Sequence, residues 1–92
     1  MISNFQHKGL SKLFIDNNPQ GLPPEYATKI RARLEAIDAA SDINDLRIPG
    51  YDVHELKGNR QGTWSIKVSA NWRITFKFDD GNAYDINFED YH

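Results

Sequence analysis

The residues best suited to phosphoryl chemistry lie in the second half of the chain. They are His54, Lys57, Arg60, Arg73 and the final residues Asp90, Tyr91 and His92. Arginine binds phosphate through a bidentate fork and lysine binds it as a point charge, and both stabilise charge that develops on phosphate in a transition state. Histidine titrates near neutral pH, so it can take a proton from an attacking ribose hydroxyl or give one to a leaving alkoxide. If the fold brings them together, these residues have the chemistry of metal-independent RNA cleavage.

Ordinary structural roles compete with this chemistry. A lone histidine on a strand is usually a half-exposed polar residue, and the last residues of a chain commonly fray. The solvated face of an amphipathic strand would also account for Lys67, Arg73 and Lys77. The carboxylates of residues 79–90 are staggered along a turn and a strand without the spacing of metal ligands, so we predict no metal site.

The elements that must position the candidates centre on residues 63–78, where apolar and polar side chains alternate. Successive side chains of a strand point to opposite sides of a sheet, so this segment predicts two adjacent strands. The apolar face must be core, and it holds Trp64, Ile66, Val68, Trp72, Ile74, Phe76 and Phe78. The opposite face is an exposed polar surface with three cations and no carboxylate, and it holds Ser65, Lys67, Arg73, Thr75 and Lys77. We expect an anion to bind there.

Two helices are predicted in the first half of the chain. In residues 8–16, Leu10, Leu13 and Phe14 have the i, i+3, i+4 spacing of one helical face. A longer helix begins at residues 23–25, because proline suits a first turn, and continues to residue 40. Its apolar face should pack on the sheet, and the charged residues placed off that face are Lys29, Arg31, Arg33 and Glu35.

Shorter segments complete the expected architecture. Residues 2–5 suggest an edge strand, residues 51–56 a weakly patterned strand, and Tyr84, Ile86 and Phe88 one face of a last strand. His7 fits no pattern and is given no role. The fold class is therefore predicted to be α+β, with two N-terminal helices packed on an antiparallel sheet of about four strands, in a single domain over residues 1–92.

Composition limits the classes of function. The chain has 92 residues, a net charge of −2 and no cysteine, so neither a disulfide framework nor a thiolate metal site is expected. No hydrophobic run is long enough for a membrane helix, and the N-terminus lacks the apolar stretch of a signal peptide. A cytoplasmic protein is expected. A slightly acidic chain cannot find nucleic acid through a net positive field, so any anion site must be local.

Several motifs in register carry a family resemblance. They are residues 56–60 (Leu-Lys-Gly-Asn-Arg), 64–68 (Trp-Ser-Ile-Lys-Val), 71–76 (Asn-Trp-Arg-Ile-Thr-Phe) and the terminal Asp90, Tyr91 and His92. Over its whole length the sequence resembles a HigB-type toxin of the RelE/ParE superfamily. The resemblance implies the RelE-like microbial RNase fold and a type II toxin-antitoxin module. The toxin of such a module is a ribosome-dependent endoribonuclease that cleaves messenger RNA and so inhibits translation.

The resemblance also implies partners and functional positions. The expected partners are a HigA-like helix-turn-helix antitoxin, the ribosome and mRNA, with operator DNA bound only through the antitoxin and with no membrane and no cofactor. Carried across by motif, the family's functional residues fall on His54, Lys57, Arg73, Asp90, Tyr91 and His92. Arg60 is added as a phosphate ligand because the predicted meander could bring its loop together with His54 and Arg73 on the polar face.

Two other readings remain at this point. A toxin-like chain that has lost catalysis would be a protein-binding module, and growth arrest that is relieved by alanine at His92 would argue against it. Relatives that act on DNA gyrase lack the terminal Asp-Tyr-His and rank below the nuclease.

The sequence finally predicts an ordered, catalytic C-terminus. Tyr91 can bury its ring, and Asp90 or the terminal carboxylate can orient His92 and favour its charged form. His92 would then act as the acid while His54 assists as the base. Arg73, expected on an exposed face, should be replaceable by alanine with little loss of stability.

Overall fold

The structure, a computed structural model, describes residues 1–90. Helix α1 (Lys8–Asp16) and helix α2 (Ala27–Ala39) precede a sheet of β1 (His54–Glu55), β2 (Thr63–Lys67), β3 (Trp72–Asp79) and β4 (Asn82–Asp90). Short 3-10 turns lie at Pro24–Tyr26, Ile43–Leu46 and Gly58–Arg60. The strands form an antiparallel meander in the order β1-β2-β3-β4, which confirms the predicted α+β fold. None of the helices in residues 1–90 is long and apolar enough to cross a membrane.

One core joins the two helices to the apolar face of the sheet. Its fully buried side chains are Leu10, Ile30, Leu34, Ile37, Leu46, Ile66, Ile74, Phe76, Ala83 and Ile86. At one end of the sheet Trp72 and Phe88 stack with their ring centroids 4.6 Å apart and their planes 7° from parallel. The alternation in residues 63–78 therefore identified the core face correctly.

Helix α1 has caps at both ends. At the N-terminus, Nδ1 of His7 accepts hydrogen bonds from the backbone N–H groups of Gly9 (3.0 Å) and Leu10 (3.3 Å). These bonds satisfy donors that have no partner within the helix. At the C-terminus, Asn17 adopts the left-handed conformation with φ 55°, and its N–H bonds back to the last turn. His7, which no sequence pattern assigned, is thus a helix cap.

Helix α2 departs from prediction at Arg33, which lies among buried residues. Arg33 is 9% exposed; its Nε donates to the carbonyl of Lys67 at 2.8 Å, and its guanidinium carbon lies 4.3 Å from the ring centroid of Tyr51. Burial lowers the pKa of Arg33. The expectation that Arg33 lies off the packed face is wrong. Arg33 joins α2 to the end of β2 and to the segment that leads into β1.

Strand β4 contains a bulge that the alternating pattern did not predict. Thr75 pairs with Asn87 but Lys77 pairs with Tyr84, so β4 has one extra residue, and Asp85 has φ 54°. Tyr84 therefore shares a face with Lys77 rather than with Ile86. The predicted face of Tyr84, Ile86 and Phe88 is correct only for its last two members.

The two weakly patterned strands are shorter than predicted. Ile2 and Phe5 make single parallel bridges to Ala83 and Ile86, so the N-terminal segment covers the edge of β4 without forming a strand of its own. The expected strand over residues 51–56 is reduced to His54–Glu55. Asp52, with φ 47°, interrupts the extended backbone between Tyr51 and β1.

Candidate active site

The site lies on the face of the sheet opposite the core. Cross-strand pairing places His54, Ser65 and Thr75 in one row. It places Lys67, Arg73 and Glu89 in the next row. The prediction that this face is exposed is wrong for three of its residues, because Ser65, Arg73 and Thr75 are 0%, 8% and 4% exposed. Only Lys67 and Lys77 of the predicted surface are exposed.

A cavity of about 300 Å³ opens on this face. Its lining residues are Leu56, Lys57, Arg60, Ser65, Arg73, Thr75, Glu89 and Asp90. Among the predicted site residues, the structure therefore brings together Lys57, Arg60, Arg73 and Asp90. His54 is not among the described lining residues, but it pairs across β1 and β2 with Ser65, which lines the cavity. Tyr91 and His92 lie outside the described residues.

Arg73 is the most deeply buried cation of the cavity. It lies on β3 between Lys67 and Glu89 in the pairing register, and its Nη2 is 3.6 Å from Oδ2 of Asp52. Asp52 is mostly exposed, with 63% of its side-chain surface accessible, so solvent screens this ion pair. A buried guanidinium has less water to compete for its N–H groups, which favours charge-assisted hydrogen bonds to an anion that enters the cavity.

Asp52 also fixes the ring of His54. Nδ1 of His54 lies 3.0 Å from the backbone carbonyl oxygen of Asp52. A carbonyl oxygen only accepts, so Nδ1 carries the proton in this contact, and the neutral ring then has its lone pair on Nε2. This assignment follows from the hydrogen-bond chemistry. His54 is therefore held in the tautomer that can accept a proton at Nε2.

Arg60 makes an ion pair that crosses the sheet. Its Nη1 and Nη2 donate to Oε1 and Oε2 of Glu89 at 2.9 and 2.6 Å, in the parallel bidentate arrangement. Thr75 also donates a hydrogen bond from Oγ1 to Oε2 of Glu89. The hydrogen bonds from Arg60 lower the pKa of Glu89, with a smaller contribution from Thr75, and the same pair raises the pKa of Arg60. Glu89 is thus ionised and neutralises Arg60.

Lys57 completes the cationic lining from the loop between β1 and β2. It lies at the start of the 3-10 turn Gly58–Arg60 and is exposed. The base of this loop is closed by the N–H of Leu56 on the carbonyl of Thr63 (2.8 Å) and by the N–H of Gly62 on Glu55 (2.9 Å). Lys57 therefore lines the cavity from a loop that is closed at its base.

Sequence reasoning missed the polar residues that surround the cations. Ser65 and Thr75 were assigned to a solvated surface, although the alternation did place them on the correct face. Glu89 was considered only among the staggered carboxylates of residues 79–90. Alternation continued from the core residue Phe88 places Glu89 on the polar face, and the strand register then pairs it with Arg73. In residues 1–90 no group of three or more His, Asp or Glu side chains is arranged to hold a metal ion.

A comparison with known families gives this site a context. A family model described as the RelE-like toxin of the type II toxin-antitoxin system HigB matches residues 3–92. The chain belongs to the HigB-like toxin family. The endoribonuclease HigB of Proteus vulgaris is 51% identical over 92 residues, which is all of both chains. The toxin HigB-1 of Vibrio cholerae serotype O1 is 35% identical over 85 residues, or 90% of each chain.

Solved structures support the fold of this HigB-like toxin. The YoeB–YefM complex from Staphylococcus aureus contains a chain with a TM-score of 0.62 and 23% identity, with 100% of this chain and 98% of that chain covered. YafQ from E. coli has a TM-score of 0.58 and 16% identity, with 98% of this chain and 91% of that chain covered. At these identities the likeness establishes the fold alone. The RelE-like fold that the sequence predicts is confirmed.

Proposed function

We propose that this HigB-like toxin is a ribosome-dependent endoribonuclease that cleaves messenger RNA and inhibits translation without a metal ion. The Proteus vulgaris relative is named an endoribonuclease and is 51% identical over the whole chain, which supports the nuclease activity. The single observation in the structure that carries the proposal is the cavity lined by Lys57 and Arg73 on the polar face. A phosphodiester is the ligand that such a set of cations suits best.

Lys57 and Arg73 would hold the scissile phosphate from two sides. Arg73 approaches from the sheet and is 8% exposed, whereas Lys57 approaches from an exposed loop. As negative charge grows on the nonbridging oxygens in the transition state, both cations stabilise it. Arg60 also lines the cavity, but Glu89 already occupies two of its N–H groups. Its contribution to phosphate binding is therefore weaker than the sequence predicts.

The reaction step needs one proton acceptor and one proton donor. His54 would take the proton of the ribose 2′-hydroxyl at Nε2 while that oxygen attacks phosphorus. The bond from phosphorus to the 5′-oxygen breaks as His92, oriented by Asp90 or the terminal carboxylate, gives that oxygen a proton, with Tyr91 beside it. The products are a 2′,3′-cyclic phosphate and a 5′-hydroxyl. The roles of Asp90, Tyr91 and His92 are carried over from the family motif.

The charge arrangement supports dependence on the ribosome. Three cations of the polar face each lie within 4.0 Å of a carboxylate, in the pairs Arg73–Asp52, Arg60–Glu89 and Lys77–Asp85. Because nonspecific RNA binding grows with the number of uncompensated cations, this face should hold free RNA weakly. A ribosome that presents the message in one conformation would supply the missing binding free energy.

The partners follow from the same family. The solved YoeB–YefM complex is a toxin-antitoxin assembly, which supports an antitoxin partner for this chain. We propose that the antitoxin is a HigA-like helix-turn-helix protein, that operator DNA is bound only through it, and that the toxin acts in the cytoplasm.

The decisive experiment combines the purified toxin with radiolabelled mRNA, with and without programmed ribosomes. We expect cleavage only when ribosomes are present, and a product that ends in a 2′,3′-cyclic phosphate. Equal cleavage of free RNA would contradict ribosome dependence, and a 5′-phosphate product would contradict the acid-base scheme.

A phosphorothioate at the scissile position tests metal independence in the same assay. Ribosomes need magnesium to stay assembled, so simple chelation would confuse two effects. Sulfur in place of a nonbridging oxygen should slow cleavage equally in Mg²⁺ and in added Cd²⁺, because cations of the protein contact that atom. Rescue of the rate by Cd²⁺ would show that a metal ion binds the phosphate in the transition state.

Deletion of His92 tests the catalytic assignment. It removes one side chain and leaves residues 1–90 unchanged. We expect a variant that still cosediments with ribosomes but cleaves at least about 100-fold more slowly, the usual size of a general acid-base contribution. Cleavage at the normal rate would end the proposal that His92 is the acid.

A further inference from the structure

The ion pair of Arg60 and Glu89 joins two parts of the molecule that the sheet keeps apart. Arg60 lies in the loop between β1 and β2, and Glu89 lies on β4, with β2 and β3 between them in the sheet. The ion pair therefore bridges the β1–β2 loop and β4 across the polar face. Thr75, on β3, donates to the same carboxylate from below. We call Arg60, Glu89 and Thr75 the clasp.

The clasp forms a wall of the proposed phosphate cavity. Its three residues all line that cavity. Arg60 and Thr75 also line a second cavity of about 160 Å³, whose other lining residues are Gln6, Thr63, Lys77 and Asp85. The clasp thus separates two concave regions of one polar face. RNA that enters the first cavity meets a fixed boundary there.

The chemistry of the clasp argues for positioning. Two parallel hydrogen bonds fix both the distance and the plane of the guanidinium, which a single contact would not do. The loop that Arg60 anchors also carries Lys57, three residues earlier in the chain. Without the clasp, the hydrogen bonds that tie this loop down within residues 1–90 would be those at its base, Leu56–Thr63 and Gly62–Glu55. The clasp is the described contact that fixes the outer part of the loop to the far strand.

We infer that Glu89 is a positioning residue of the nuclease: through Arg60 it holds the loop of Lys57 against the phosphate cavity. This rests on the proposed function. Glu89 does not act as a proton acceptor, because the hydrogen bonds of Arg60 and Thr75 stabilise its ionised form and make it a weak base. Its negative charge also keeps Arg60 from binding phosphate as a freely available cation.

A double-mutant cycle in the ribosome cleavage assay tests this inference. The variants are Arg60→Ala, Glu89→Ala and the pair of changes together, each measured as single-turnover rate against toxin concentration. If the clasp positions the loop, each single change should lower the maximal rate by about tenfold, as expected when a catalytic group is slightly misplaced. The double change should be no worse than either single change, because both break the same contact. The half-saturating concentration should change little.

Other outcomes overturn the inference. If Glu89→Ala instead lowers the half-saturating concentration while Arg60→Ala raises it, Arg60 is a direct phosphate ligand and Glu89 only competes with the substrate. If stability falls in urea unfolding but the maximal rate is unchanged, the clasp is merely structural. An inactive wild-type protein contradicts the proposed function itself, so the two failures are distinguishable.

Glu89→Gln is the second variant, for the case in which Glu89→Ala does not fold. Its amide oxygen can still accept from Thr75, but the amide nitrogen cannot accept from Arg60. The maximal cleavage rate of Glu89→Gln should therefore fall by about as much as that of Arg60→Ala. Asp85→Asn is the matched control, since Asp85 also carries a β4 carboxylate paired with a cation but does not line the phosphate cavity. A loss of rate in this control equal to that of Glu89→Gln would remove the special role of the clasp.

Discussion

At the scale of single residues, burial decides what a charge does. Arg73 and Lys67 face each other across β2 and β3, yet Arg73 is 8% exposed and Lys67 is on the surface. A buried guanidinium that loses its side chain leaves a cavity and breaks its ion pair, whereas an exposed lysine leaves neither. Removal of Arg73 should therefore cost more free energy of unfolding than removal of Lys67, its cross-strand neighbour.

Arg73→Ala should lose both activity and stability. We expect RNA cleavage to fall at least about 100-fold, because a cation beside the developing charge is lost. The free energy of unfolding should fall by about 1–2 kcal/mol, which is more than the loss of an exposed side chain would cost. Cleavage assays on ribosomes and urea unfolding measure the two effects.

Lys67→Ala is the control for Arg73→Ala. Its free energy of unfolding should stay within about 0.5 kcal/mol of the wild type, as for other surface changes. Equal stability of the two variants would show that the burial of Arg73 has no energetic consequence.

At the scale of elements, residues at the N-terminus of α1 and along β4 stabilise the elements that surround the site. His7 caps α1 and also makes an edge contact with Phe88, with ring centroids 5.9 Å apart. Phe88 in turn stacks on Trp72 at the start of β3, next to Arg73. Asp85 forms the bulge that resets the faces of β4. Substitutions at these positions should mainly lower the free energy of unfolding.

The cap of α1 should weaken in mild acid. Burial lowers the pKa of His7 below its usual value of 6.5, and protonation would turn its accepting Nδ1 into a donor. A depressed pKa means that this contribution to stability is present above pH 6.5 and is lost as the pH falls through the lower pKa of the folded state.

The variant His7→Asn separates this effect from other titrations. Asparagine caps a helix without titrating in this range. In urea unfolding from pH 7.5 to pH 5, the wild type should lose about 1 kcal/mol more stability than the variant, the size of a typical N-cap. Parallel curves for the two proteins would rule out His7 as the titrating cap.

A β-branched residue at Asp85, in the bulge of β4, should destabilise the fold. Asp85 has φ 54°, and its side chain accepts a hydrogen bond from Asn4 at 2.9 Å. Asp85→Val should destabilise the fold by about 1–3 kcal/mol, because a β-branched side chain is strained in the left-handed region. Asp85→Asn keeps both the tolerated backbone conformation and an acceptor for Asn4. Thermal unfolding should rank it near the wild type, and a ranking below Asp85→Val would contradict the role of the bulge.

At the scale of the whole molecule, the proposed phosphate cavity and the two helices lie on opposite faces of the sheet. The core fills the space between the helices and the apolar face of the sheet. The cavity lined by Lys57 and Arg73 opens on the opposite face. An antitoxin could therefore bind the helices and leave the cavity uncovered. Inhibition would then come from the size of the complex, which would be too large to enter a crowded ribosomal site.

Amide chemical-shift mapping of the toxin-antitoxin complex tests inhibition by bulk. We expect the large shifts in α1 and α2, with small changes at Lys57 and Arg73. Strong shifts at those two residues would show that the antitoxin covers the cavity. A covalent tag of antitoxin size on α2 is a further check, since it should inhibit cleavage on ribosomes without touching the cavity.

The sequence alone determined the parts of this protein that have a strong periodic signal. Alternation in residues 63–78 determined the hairpin and its core face, and the helical spacing of Leu10, Leu13 and Phe14 determined α1. The motifs around Lys57, Trp64 and Arg73 indicated the toxin family, which the comparisons confirm. Periodicity depends on local geometry, so these features could be read without tertiary contacts.

Only the tertiary structure decided how the polar groups pair. The burial of Arg73 and Arg33, the clasp between Arg60 and Glu89, and the bulge at Asp85 depend on contacts between residues far apart in the chain. Alternation tells which face of the sheet a side chain lies on. It does not tell whether that side chain is exposed to solvent or covered by other parts of the protein. Whether a cation is solvated, buried or neutralised is set by its tertiary partners, which include Asp52 for Arg73, Tyr51 and the Lys67 carbonyl for Arg33, and Glu89 for Arg60.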